Sequence, residues 1–158
     1  MANTQAMTTS FMGELMTATH NFGTAPVRAT GATDAFKAAL YLASATMNAS
    51  TTAYTVTGEV SGTGYSAGGV AVTFGTPPTA TNSSTTAGVA FVTPSASITY
   101  TTVTLTTAFD AVLIYNSTQS NKAVSVHTFG SQTITAGTFT LTMPANTTST
   151  ALIRLATT

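Results

Sequence analysis

From Asp34 onward the apolar residues of this chain recur at every second position, and that period constrains the fold more than any other feature. Phe36, Ala38, Leu40 and Leu42 fall on one face of residues 36–42, with Lys37, Ala39 and Tyr41 on the other. Successive side chains of a β-strand point to opposite faces, whereas a helix needs a period of about 3.6. Residues 54–60 (YTVTGEV) and 70–74 (VAVTF) read as further strands flanking a glycine-rich turn. Ile98, Tyr100, Val103 and Leu105 lie in a β-branched run. Phe109, Ala111, Leu113 and Tyr115 alternate with Asp110, Val112 and Ile114. Residues 109–115 are apolar on both faces, which predicts a central strand covered on both sides. Val124 and Val126 share a face opposite Ala123, Ser125 and His127, and Phe139, Leu141 and Met143 alternate with threonine up to Pro144. Residues 77–88 read as an exposed polar loop, 116–121 as a turn, and 151–155 as a closing strand. About eight short strands with turn signals between them predict an all-β fold, a β-sandwich or possibly a jelly roll.

Residues 1–33 do not follow this period. Phe11, Met12, Leu15 and Met16 have the spacing of one or two amphipathic helical turns. With Phe22 they precede a loop containing Pro26 and Gly31. Exposed apolar clusters of this kind mark interaction sites. The division expected is an N-terminal arm (1–33) and a β-sandwich domain (34–158), the arm ordered mainly by contacts outside its own domain. Phe11, Met12, Leu15, Met16 and Phe22 are its candidate partner-binding residues. The alternative is that they cover an open end of the sandwich.

Charge is scarce. Only Glu14, Arg28, Asp34, Lys37, Glu59, Asp110, Lys122 and Arg154 carry it, 5% of the chain against about 25% in an ordinary domain. The net charge is zero, and 39 threonines supply polarity as hydroxyls. Near-zero net charge promotes association. Edge strands are commonly protected by lysine, and with so little of it the edges must be very short or covered by another subunit. A homo-oligomer is expected.

The same scarcity argues against catalysis. His20 and His127 are the only histidines, cysteine is absent, and no His/Asp/Glu spacing matches a metal site. The histidines read as isolated polar residues satisfied by their neighbours. There is no G-x-S-x-G elbow, and GEVSGTGYSAGG (residues 58–69) lacks the Lys-Ser/Thr and helix of a phosphate loop. Tyr65 within it reads as a buried anchor, with an exposed contact aromatic as the alternative. No catalytic residue, metal or cofactor is expected, and the chain reads as not an enzyme. Scattered basic residues argue against nucleic acid. No run approaches the roughly 20 apolar residues of a membrane span, and the N-terminus lacks the pattern of a signal peptide.

Several strings together resemble a known group. The chain begins MANTQAM and carries FKAALY at 36–41. TAY, GEV and GYSAGG follow between residues 52 and 69, then AFDAVLIYNST at 108–118 and TAGTFTLTMP at 135–144. The pattern resembles small, threonine-rich virion proteins of tailed bacteriophages and spans most of the chain. The resemblance implies a virion component assembled in the host cytoplasm, and within that a capsid decoration (cement) protein. It implies a homotrimer on the major capsid protein lattice, with a tail, neck or head-fibre component as the alternative. A host-surface glycan-binding module is a further alternative, disfavoured by the absence of tryptophan and the shortage of acids. The shared motifs are structural, so no functional residue is carried over.

Overall fold

The computed structural model describes residues 2–16, 19–22, 33–81 and 88–156. In chain order the elements are β1 (Ala6–Met7), α1 (Thr9–Met16), β2 (Phe36–Leu42), β3 (Val70–Val72), β4 (Thr79–Ala80), β5 (Val89–Val92), β6 (Ile98–Asn116), β7 (Lys122–Leu141) and β8 (Ile153–Ala156). The fold is all-β apart from the one short helix. Two antiparallel sheets run in the orders β1-β7-β6-β2-β3 and β4-β5-β8.

The sheets share one core. Leu40, Val72, Ile98, Phe109 and Ile114 of the larger sheet pack in a single apolar cluster with Val92 and Ile153 of the smaller. This is the sandwich that the alternation predicts. The opposite face of the larger sheet carries a second cluster, in which Ala39, Tyr41, Leu113, Tyr115 and Val126 pack with Ala45 and Met47 of the following loop. Residues 111–116 are therefore buried on both faces, as expected for a central strand.

The strands are not uniformly short. The runs at 98–105 and 109–115 are one 19-residue strand, and those at 123–127 and 139–143 belong to one 20-residue strand that ends at Leu141. The sequence conceals this because irregular residues change the phase of alternation. Thr102 takes a left-handed φ of 53°, and the pairing with β7 shifts between Tyr100 and Val103. Tyr100 and Val103 thus face the same core at an odd spacing. The last of five such shifts lies between Ile114 and Tyr115 on β6, opposite Ser125 and Ala123. It sends Val124 into the sandwich core and Val126 to the opposite face, contrary to the simple alternation. A bulge inserts one unpaired residue and does this to any strict period of two.

Residues 54–60 do not form a strand. Glu59 makes an isolated bridge to Tyr41, and the chain turns at Gly58, whose φ is 79°. β4 lies inside the expected polar loop at 77–88, and β5 follows it as a strand the alternation does not announce. Farther on, Gly69 lets β3 approach β2: a Cβ there would lie 1.6 Å from the Ala38 carbonyl oxygen.

Candidate interaction surface

Residues 2–16 and 19–22 pack into the β-domain, which corrects the expectation that the arm is ordered mainly by contacts outside it; residues 23–32 of the expected arm lie outside the described residues. Ala6 and Met7 pair with Val126 and Ser125 as a fifth strand of the larger sheet. The next residue, Thr8, is fully buried and donates its hydroxyl toward the Ala123 and Val124 carbonyls. Phe11 is 0% exposed, and its ring meets His20 at 4.9 Å and Phe22 at 5.9 Å, both edge-on. Phe22 stacks on Phe36 at 4.6 Å and meets Phe74 edge-on at 4.9 Å. Leu15 packs, half-buried, against the same core. The side chains of Met12 and Met16 lie outside the described residues. So Phe11 and Phe22 are not exposed partner-binding residues; they complete the sandwich core. The reason is supply: Phe36 and Phe74 present ring surface that Phe22 covers from elsewhere in the chain, and each such ring buries about 150–250 Å².

A polar network ties this segment to the β6–β7 turn. Glu14 accepts from Lys122 Nζ at 2.6 Å and meets His20 Nε2 at 2.7 Å. His20 Nδ1 lies 3.0 Å from Asn116 Nδ2, which also donates to Asp34 at 2.8 Å. Asp34 accepts from the Asn21 backbone N–H and the Gln119 amide as well. The histidine is thus not isolated. Burial pushes the His20 pKa down, against the pull of Glu14, so the ring is neutral at pH 7. Burial alone would raise the Glu14 pKa, but the hydrogen bonds from Lys122 and His20 hold it below the usual value.

A second network centres on Glu59 and draws on both apolar clusters. The Glu59 carboxylate accepts from Tyr54, Tyr65 and the Gly68 N–H at 2.6–2.7 Å. Tyr65 Oη also accepts the Leu40 N–H, so this tyrosine is an anchor, though half-buried. Tyr100 and Tyr115 donate to the Ala38 and Gly68 carbonyls. Burial, and for Tyr54 and Tyr65 donation to Glu59, raises the pKa of every tyrosine in the chain. Elsewhere Asp110 accepts from Asn3, and Arg154 Nε donates to the Thr148 carbonyl. The scarce charges act largely as internal braces.

The outside is different. Along β7, Ser131, Gln132, Thr133, Thr135, Thr138 and Thr140 are exposed, and only half-buried residues such as Phe129, Ile134 and Phe139 point inward. At the start of this stretch a cleft of about 290 Å³ runs between β1, β7 and β8, lined in part by Gln5, Met7, Ser125, His127 and Arg154. Ser125 Oγ sits 2.9 Å from His127 Nε2. Burial pushes the His127 pKa down to about 4, and Ser125 is 2% exposed. So weak a base is poorly matched to proton abstraction at neutral pH, and the pair serves as a bond within the strand. Among the described residues no group of three His, Cys, Asp or Glu could hold a metal ion. No protein-family model, curated protein or solved structure matches the chain.

Sequence reasoning held the interior placement of Phe11 and Phe22 only as its alternative, and it missed the meeting of Glu14, His20, Asp34 and Lys122. The one available signal was that an apolar cluster and two acids occur together in a chain with few of either.

Proposed function

We propose that this chain is a structural subunit of a tailed-bacteriophage particle, and within that a capsid decoration protein that stabilises the head through protein–protein contacts. The observation that carries this reading is the allocation of charge. Glu14, Asp34, Glu59, Asp110, Lys122 and Arg154 all hydrogen-bond within the chain, most of them to segments distant in sequence. The exterior is left largely to hydroxyls, which suits permanent contact with neutral protein surface better than free diffusion. The resemblance of its motifs to small virion proteins points the same way. On this reading the chain is not an enzyme, its partners are copies of itself and the major capsid protein, and it resides in the virion.

The test is to locate the chain in a cryo-EM map of the particle that carries it and to wash such particles in salt. Charged contacts weaken as the Debye length falls from about 10 Å at 0.1 M to about 3 Å at 1 M. Retention of the protein on heads at both concentrations is expected. Density on the tail or neck would move it to the alternative virion position, and its absence from particles would overturn the reading.

A further inference from the structure

The sheet edges are unequal. β1, β3 and β4 are two or three residues long, and β8, at four residues, carries Arg154. Short strands, edge charges and bulges are the usual protections against pairing with another chain. Over its distal part β7 has only the last, near Ala136 and between Thr128 and Gln132. Its outer edge pairs with β1 only at Ser125 and Val126, and from Thr128 to Leu141 it meets no other strand among the described residues. No Asp, Glu, Lys, Arg or Pro falls within residues 128–141.

We infer that two copies of the chain pair along this edge, β7 against β7 in antiparallel register about a two-fold axis through Thr135, joining the two larger sheets into one. The inference rests on the reading of the chain as a self-associating subunit and names the surface involved. Three observations select a second copy as the occupant. A two-fold contact is self-complementary and brings the same patch against itself, so a charge near the axis would face its own like; this edge has none. The free stretch is also centred on the axis: Thr135 lies at the middle of residues 128–141, so a two-fold there uses the whole unpaired edge of β7. Finally, the exposed side chains are mainly hydroxyls, and Thr–Thr and Thr–Ser pairs across strands are favourable. The left-handed Ala136, φ 48°, kinks the edge beside the axis, and the two-fold sets both kinks at the centre of the pair.

The chain has no cysteine, which makes cross-linking decisive. In the full-length protein, Thr135→Cys is expected to convert mostly to a disulfide-linked dimer on mild oxidation, while Ala71→Cys on exposed β3 stays monomeric on a denaturing gel. Light scattering of the wild type should give twice the chain mass of 15.9 kDa. The double variant Thr133→Lys/Thr138→Lys should weaken dimerisation at least tenfold with little change in Tm, because both sites are exposed. A wild-type monomer at micromolar concentration, or a trimer, overturns the inference. An oligomer that neither cross-links at residue 135 nor responds to the lysines overturns the edge assignment alone. Particle localisation remains a separate measurement of the virion reading.

Discussion

β7 behaves as two different strands joined end to end. Its first residues, 122–127, lie between β6 and β1, and Ala123, Val124 and Val126 are wholly inaccessible. Among the described residues its remaining part pairs with a strand on one side only and mixes half-buried with exposed positions. The two parts differ in composition: the first carries Lys122, His127 and one hydroxyl, the second two phenylalanines and six hydroxyls. What separates them in burial is cover from elsewhere: β1, the loop carrying Ala45 and Met47, and residues 52–53 all reach the first part and stop. Burial along this strand follows the cover that distant segments supply.

The largest effect should come from removing that cover. Phe11→Ala is expected to lower stability by about 3–5 kcal/mol, the usual cost for a buried ring, whereas Thr138→Ala on the distal part should stay within about 0.5 kcal/mol. Chemical denaturation compares the two, and equal losses would erase the distinction. Next is acid. Above pH 6.5 His127 is neutral whether folded or unfolded. Between there and its folded value of about 4 only the unfolded chain binds the proton, so stability falls across that window. The loss should approach about 3 kcal/mol, at 1.36 kcal/mol per pKa unit. His127→Gln should flatten the stability profile from pH 6.5 to 4, and an unchanged slope would show that this boundary residue is more open than its packing indicates. His20, also held low, adds to the same slope.

A smaller change is expected for Glu14→Gln, which weakens the tie between α1 and the β6–β7 turn. Lys122 keeps 40% of its side chain in water and can rehydrate, so about 1–2 kcal/mol is expected, toward the lower end for hydrogen bonds to charged groups. Hydrogen exchange should then quicken at Ser125 and Val126 before it does in β2. The smallest effect concerns Ala136→Gly. A left-handed residue with a Cβ costs about 1–2 kcal/mol, and glycine's added freedom when unfolded offsets about 0.5–1 kcal/mol. A net stabilisation below about 1 kcal/mol should appear as a slightly higher Tm. A loss would mean that the Cβ of Ala136 packs usefully.

The legible parts of the fold are those where alternation runs unbroken. Residues 36–42 keep strict phase and form β2, and the doubly apolar run at 109–115 is the centre of the larger sheet. Where a bulge resets the phase, as at Thr102 or Val124, the period alone misassigns faces or divides one strand into two. The run at 54–60 has strand composition, but Gly58 turns the chain and Tyr54 serves Glu59 instead of a ladder. The interior role of Phe11 and Phe22 was hidden for a different reason. Their amphipathic spacing shows that a face is apolar and carries no information about whether the covering surface belongs to the same molecule.

The bond from the Thr8 N–H to the Val124 carbonyl joins residues 116 positions apart. The ribosome therefore releases the N-terminal segment long before its docking site exists. The β6–β7 hairpin, whose partners are close in sequence, can close early, because loop-closure entropy grows with separation. β1 and Thr8 can dock only after it, and until they do the nascent chain leaves the β7 edge at Ser125 and Val126 bare. Synthesis is the period in which this protein is most open to pairing with the wrong neighbour.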